Sequence, residues 1–331
     1  MDAKELKELQ LMPMEWKVII TKARLRDAIV NFGVDGLYLS LSGGKDSLVL
    51  HWILKEVEYQ DYGGMVIPRV FCNTGLEYPE VREGVLRLFE GKSVQDKLVV
   101  LKPDMHFRDV ITKYGYPIIS KEQSQFINQY RNAKSEKTKH TRLYGNKWGR
   151  GKISEKWKYL IDSDFKISDK CCDIMKKKPF KEYEKKTGRA PILGKMAVES
   201  AKRMQDYIKQ GGCNAFDNKR PKSEPIGFWT EQDILEYIYK NNITIPSVYG
   251  EILYIDGKYQ LTGVTRTGCV FCMLGVHLEK GENRFERMKR THPNLYNYCM
   301  NGGTFDDDGN WIPNKGLGMR KVLGTIGMKF D

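Results

Sequence analysis

The stretch Leu37-Tyr-Leu-Ser-Leu-Ser42-Gly43-Gly44-Lys45-Asp46-Ser47, running on into Leu48-Val-Leu-His-Trp-Ile-Leu54, decides how this chain folds. The residues before Ser42 are apolar and read as a buried strand. Two glycines break it, and an apolar-periodic helix begins at once. Strand, glycine turn and helix N-terminus together aim several backbone N–H groups at one anion. Gly43 and Gly44 let the main chain approach a phosphate with no Cβ in the way. Ser42 and Ser47 add hydroxyls, Lys45 a cation, and Asp46 a carboxylate suited to Mg²⁺. This is not a Walker A loop, which needs glycine where Leu39 stands and Ser or Thr where Asp46 stands. A glycine turn that binds nothing is the competing reading, and the strand and helix on either side weigh against it.

Working outward, Met65-Val-Ile-Pro-Arg-Val-Phe71 reads as a second strand and Lys97-Leu-Val-Val-Leu101 as a third. The second ends in Cys72-Asn73-Thr74-Gly75-Leu76-Glu77-Tyr78-Pro79-Glu80, where Gly75 and Pro79-Glu80 mark a turn and a new helix start. Strands alternating with helices imply an α/β fold with a doubly wound parallel sheet covered on both faces. Ligands of such sheets sit at the carboxyl ends of strands, where both loops fall. Residues 1–36 read as helices covering the sheet, with Trp16, Val18, Ile19, Ala23, Leu25 and Ile29 at helical spacing.

At 331 residues the chain can build one large domain or two modest ones. It opens without an apolar signal core and contains no run of membrane-spanning length, so the expectation is a soluble, cytoplasmic protein with no membrane partner. Seven cysteines in that setting point to metal or redox work rather than disulfides. The net charge of +13 suits an anionic partner larger than one nucleotide. Residues 131–158 concentrate that charge: ten lysines and arginines face only Glu136 and Glu155, with Tyr144, Trp148 and Trp157 among them. Cations interleaved with aromatics suit a nucleic-acid backbone and its bases, while a solvated insertion is the bland alternative.

Cys171-Cys172 stands far upstream of Cys269-Val-Phe-Cys272. A lone CxxC fits zinc, an iron–sulfur cluster or thiol redox chemistry. Consecutive side chains diverge, so a tandem pair is expected to strain around one tetrahedral ion, whereas a cubane offers each thiolate its own iron. That favours [4Fe–4S] on Cys171, Cys172, Cys269 and Cys272, then zinc, then buried thiols without a metal.

Ser42-Gly-Gly-Lys-Asp-Ser47 resembles the PP-loop of the ATP pyrophosphatase (adenine nucleotide α-hydrolase-like) superfamily. Asn73-Thr-Gly-Leu-Glu-Tyr-Pro-Glu80 resembles the DTG-x-x-FPE element of phosphoadenosine phosphosulfate (PAPS) reductases, with Asn73 for Asp and Tyr78 for Phe. Gly194-Lys-Met-Ala-Val-Glu199-Ser200-Ala-Lys-Arg203 resembles their G-x-R-x-x-E-S-x-x-R element, with Met196 in place of the arginine and Lys195 as its substitute. Pro225-Ile-Gly-Phe-Trp229-Thr230-Glu-Gln-Asp233 resembles a further segment. There Thr230 reads as an N-cap with Asp233 at N3, a structural piece. The Cys-Cys…Cys-x-x-Cys set is similar to the cluster motif of iron–sulfur adenosine phosphosulfate (APS) reductases.

The resemblance implies a Rossmann-like PP-loop domain over 37–205, with a basic insertion at about 131–160. Before it lie helices over 1–36, and after it a mostly helical, cysteine-containing region over 206–331. It implies that ATP and Mg²⁺ are held by Ser42, Gly43, Gly44, Lys45, Asp46, Ser47, Thr74, Gly75, Glu77, Glu199 and Arg203, with Lys45 and Asp46 catalytic. One family feature is missing. The ECG-x-x-H-like nucleophile of the reductases has no match, and Cys299, its nearest positional counterpart, is the third catalytic candidate as a sulfur relay, with Cys213 a further ligand or relay candidate. The combination looks more like the DndC-type and thiolation branches, in which ATP adenylylates an oxygen and sulfur is then delivered. The partners so implied are DNA or tRNA, a sulfur donor such as a cysteine desulfurase, and a second copy of the chain. A thioredoxin-dependent, sulfite-forming reductase is the second reading, and a nucleic-acid-binding protein with a nucleotide-sensing loop the third.

Overall fold

In the computed structural model, which describes residues 1–90 and 97–330, the opening strand runs over Leu37–Ser40 and the helix after the glycines over Lys45–Tyr62. Arg69–Cys72 and then Leu98–Leu101 lie parallel on one side of that strand, and Ala190–Leu193 lies parallel on the other. Lys222–Ser223 extends the sheet in parallel and Asn214–Ala215 closes it antiparallel, giving six strands. The chain thus steps outward twice and then returns to the opposite side of its first strand. That reversal is a topological switch point, and the glycine loop lies at the carboxyl end of one of the two strands flanking it.

Local chemistry explains where the strands differ from expectation. The second starts at Arg69 rather than Met65, because Pro68 has no N–H for a ladder; its carbonyl instead accepts from Leu39 N at 2.9 Å. Ala190–Leu193 has no counterpart in the sequence reading. Its Pro191 would exile most segments from a central strand, yet it sits in register with Tyr38.

The first helices, Ala3–Leu11 and Met14–Phe32, pack into the same core as the sheet, through Leu6, Leu25, Ala28 and Ile29 against Leu37, Leu39 and Val49. The buried face is rotated from the expected one. Lys17, Thr21, Leu25 and Ala28 point inward, while Trp16 and Ile19 are exposed. Lys17 is admitted to the core because Asp233 Oδ2 meets its ammonium at 2.6 Å. A second buried pair fixes the helix that follows the glycines. Glu58 accepts from Arg69 at 2.6 and 2.8 Å and from the amides of Val66 and Ile67, and Arg69 Nε reaches His51 Nδ1 at 3.2 Å. Breaking such a pair on one side costs about 3–5 kcal/mol, so the register of that helix against the sheet is firmly set.

The chain divides differently from the sequential boundaries expected at residues 36 and 205. One unit comprises Met1–Asn73, Glu77–Lys102 and Phe180–Gly268; the other comprises Thr74–Leu76, Pro103–Pro179 and Cys269–Asp331. The first must include the segment around Ala190–Leu193, because that strand completes the sheet. It also carries an antiparallel hairpin, Ile252–Ile255 with Lys258–Leu261, inside the region read as mostly helical. The second unit is largely helical, with Met273–Leu274 paired in parallel to Ile118–Ile119. Its basic insertion folds as a helix over Glu136–Tyr144 and a 3₁₀ stretch over Glu155–Asp162. Among the described residues no helix is long and apolar enough to cross a membrane.

Candidate active site

The glycine loop is built so that only one of its glycines is conformationally obligatory. Gly43 has φ +77°, and a Cβ there would lie 2.7 Å from Val85 and 2.8 Å from Val81. Gly44 is the N-cap, with an ordinary extended φ of −73°, and a Cβ would meet the Tyr249 hydroxyl at 3.3 Å. On the far side the chain passes so close at Gly194 that a Cβ would stand 3.2 Å from the Ser47 backbone. Ser42 and Ser47 share a hydrogen bond of 3.0 Å, and Ser47 Oγ also donates to the Gly44 carbonyl at 2.9 Å.

Lys45 is buried and braced. Its backbone N–H donates to the Tyr249 hydroxyl at 3.1 Å, and its ammonium donates to the Thr265 carbonyl at 3.1 Å. The same ammonium lies 3.4 Å from both Asp46 Oδ1 and Glu231 Oε1. Burial pushes the Asp46 carboxyl above its ordinary value, and the adjacent Lys45 charge opposes that push. A half-buried carboxylate whose main counter-charge is one lysine is a suitable ligand for a cation brought in with a polyphosphate. Tyr249, Thr265 and Glu231 were not legible as site residues. They lie about 200 positions downstream of the loop and carry no pattern of their own.

Glu199 and Arg203 form an ion pair with each other, and Arg266 Nη1 stands 3.7 Å from Glu199 Oε1. Glu199 therefore lies between two guanidinium groups. Lys195, the expected substitute for the missing arginine, is drawn to buried Glu224 at 2.7 Å, and Met196 belongs to the core. Thr74 and Gly75 fall in the second unit and Glu77 in the first. Thr74 Oγ1 accepts from Leu76 N at 3.1 Å, Gly75 has φ +71°, and Pro79 starts a helix over Pro79–Arg87.

All four cysteines of the expected ligand set line one cavity of the second unit, of about 20 Å³, walled by Leu76, Phe107, Pro117, Met175 and Phe271. The Cys269–Cys272 turn is tied down: Cys272 N donates to Cys269 O at 3.1 Å, and Val270 N to Leu76 O at 2.8 Å. Cys171 and Cys172 begin a helical run that widens into a π-turn over Asp173–Lys177, a distortion frequent at functional sites. This helical start brings the tandem sulfurs to 3.9 Å, so the expectation that neighbouring side chains diverge does not hold here. That spacing suits two thiolates on one tetrahedral zinc, about 3.8 Å from a Zn–S length near 2.3 Å. Adjacency alone therefore no longer argues against zinc.

The hydrogen bond from Cys171 pulls the Cys172 thiol down to about 6, and against the cost of burial Lys121 and Lys176 assist. The same pairing holds Cys171 high, and burial pushes Cys269 up to about 11. Four thiols in an apolar shell are the right donor set for a four-thiolate group. As they stand, among the described residues no three His, Cys, Asp or Glu side chains are grouped closely enough to hold a metal ion.

Cys299 and Cys213 do not join this cavity. Cys299 is fully buried in the helix Pro293–Met300, its thiol donates to the Tyr296 carbonyl, and burial pushes it up to about 12. Such a thiol is neither accessible nor ionised, which is the reverse of what a sulfur relay needs. Cys213 is buried in the first unit, against the Tyr207 hydroxyl at 3.0 Å.

The model of the phosphoadenosine phosphosulfate reductase domain family matches residues 36–274. Among solved structures, the PAPS reductase of Candida auris in its phosphate complex is 15% identical, with TM-score 0.39, covering 75% of this chain and 90% of that one. The Candida glabrata FMN adenylyltransferase in complex with ATP is 11% identical, with TM-score 0.41, covering 74% of this chain and 64% of that one. The U34-tRNA thiolase NcsA of Methanococcus maripaludis with its [4Fe-4S] cluster is 17% identical, with TM-score 0.35, covering 70% of this chain and 66% of that one. No curated protein gives a sequence match.

Proposed function

Because the chain belongs to the phosphoadenosine phosphosulfate reductase domain family, we propose that it is a PP-loop enzyme that adenylylates a nucleic-acid or nucleotide acceptor with ATP and prepares it for sulfur transfer. The observation that carries this reading is the loop at the switch point, where a helix N-terminus, a buried lysine and a half-buried carboxylate converge. An acceptor oxygen attacks the α-phosphorus, the bond from that phosphorus to the β-bridging oxygen breaks, and pyrophosphate leaves with the electron pair. The first-turn amides of Lys45–Tyr62 and the Lys45 ammonium offset the charge that builds on the phosphate oxygens. Asp46 is the residue that would hold the Mg²⁺ accompanying the nucleotide.

Cys171, Cys172, Cys269 and Cys272 would hold a [4Fe–4S] cluster, which supplies redox chemistry when bound. The chain's own contribution there is an apolar shell that limits water, together with Lys121 and Lys176, which favour thiolate at Cys172. Burial of Cys299 weighs against the sulfite-forming reading, which needs an exposed C-terminal thiolate. Anaerobic incubation with PAPS or APS and thioredoxin, scored for sulfite, tests that alternative. Our reading expects none, and expects consumption of ATP that depends on Asp46. Sulfite production with ATP untouched would move the protein to the reductases proper.

A further inference from the structure

The ten cations of residues 131–158 fall into three groups that the sequence does not separate. Arg131 and Arg142 are framework. Arg131 donates to the carbonyls of Leu160, Ile161, Ser163 and Phe165 at 2.7 to 3.0 Å, and Arg142 donates to Gln129 and the Gly151 carbonyl while covering the Phe126 ring at 4.3 Å. Lys139 and Lys158 pair with Glu136 and Glu155. The other six, Lys134, Lys137, Lys147, Arg150, Lys152 and Lys156, are exposed and form no salt bridge among the described residues.

The loop in the middle of this group is cross-braced. Asn146 Oδ1 accepts from the amides of Trp148 and Arg150 at 2.9 and 3.0 Å, Asn146 N donates to Arg150 O, and Gly149 N to Asn146 O. Gly145 packs on Gly149 so tightly that a Cβ would lie 2.8 Å from its carbonyl carbon. What this bracing presents is Trp148, 70% exposed, with Lys147 Nζ 4.3 Å from its ring. Tyr144, at the end of the preceding helix, is 62% exposed and lies 5.8 Å from Lys158 Nζ.

A tryptophan held in water by a rigid loop is not explained by packing. The large apolar side chains exposed over residues 131–160 are Tyr144, Trp148 and Tyr159, with no aliphatic residue among them. A membrane surface calls for aliphatic chains that insert, whereas ring faces among cations match bases stacked along a phosphate chain.

We propose that this face is a single-strand nucleic-acid platform: one base stacks on Trp148, Tyr144 offers a second ring, and Lys147, Arg150 and Lys152 hold the flanking phosphates. The proposal rests on the nucleic-acid reading of the acceptor given above, but the binding it describes needs no ATP. The test is fluorescence anisotropy of the full-length protein with a labelled oligothymidylate of about 20 nucleotides, longer than one stacking groove covers, across a salt series without nucleotide. Trp148→Ala is expected to weaken binding about 5- to 100-fold with an unchanged salt slope, and Trp148→Phe to retain most of it. Lys147→Ala with Lys152→Ala is expected to lower the slope by about one unit or slightly more. Unchanged binding in Trp148→Ala, a preference for duplex, or binding to anionic vesicles in place of the oligonucleotide would each overturn it. Trp148-dependent binding without AMP formation would support the platform and sink the adenylylation; AMP formation without such binding would do the reverse.

Discussion

At the scale of single residues, the two loop glycines make different predictions. Gly43 needs its left-handed backbone and has no room for a methyl group against Val81 and Val85, so Gly43→Ala is expected to cost about 1–3 kcal/mol and to abolish ATP binding. Gly44 has a backbone that any residue adopts, and Gly44→Ala is expected to fold nearly as stably as the wild type once the Tyr249 hydroxyl gives a few tenths of an ångström, while its Cβ stands where a phosphate would approach and weakens ATP binding. Urea melts and calorimetry compare them, and equal effects would contradict the loop geometry. Asp46→Asn keeps the shape and loses the charge, so nucleotide binding should survive while turnover is lost by about two to three orders of magnitude. A turnover rate in Asp46→Asn within a few-fold of the wild type would remove that carboxylate from the chemistry.

Among the elements, the helix Glu231–Lys240 shows how two distant segments are joined. Thr230 and Asp233 form its capping box, and Asp233 Oδ2 also holds the ammonium of Lys17 from the helix Met14–Phe32. Asp233→Asn leaves Lys17 buried without its counter-charge, and a loss of about 3–5 kcal/mol in chemical denaturation is expected. A loss under 1 kcal/mol would mean that water reaches Lys17. The cap was legible because Thr-x-x-Asp before an apolar-periodic run is a local signal. Its bond to Lys17 was not, since Trp16 and Ile19 made a more hydrophobic stripe than the face actually buried. The strands followed the same division. Leu37–Ser40 and Leu98–Leu101 are plain apolar runs, whereas Ala190–Leu193 is hidden by Pro191 and is recognisable only once its neighbours are in place. At the site, the glycine loop and the four cysteines announced themselves by spacing. Tyr249 and Thr265 act through contacts that only the fold creates.

For the whole molecule, colour separates the two metal centres that four thiolates can hold. Four thiolates sharing four irons give a brown protein with about four irons per chain, and a single tetrahedral site gives a colourless one with about one zinc. Anaerobic preparation is expected to yield the brown form, and Cys171→Ser, Cys172→Ser, Cys269→Ser and Cys272→Ser are each expected to bleach it. Cys299→Ser, in the core of the same unit, is expected to keep the colour. A stoichiometric zinc content would leave the ligand set standing and replace the cluster.

The central claim is that this loop cuts ATP between its α- and β-phosphates and attaches the AMP moiety to an oxygen of the acceptor. Supplying ATP labelled at the α-phosphorus with a single-stranded oligonucleotide and sulfide as the nucleophile that displaces AMP, and separating the products, tests it directly. The account predicts label in AMP and transiently on the oligonucleotide, with pyrophosphate released in equal amount and all of it lost in Asp46→Asn. Label appearing in ADP, with free phosphate as the co-product, would contradict it.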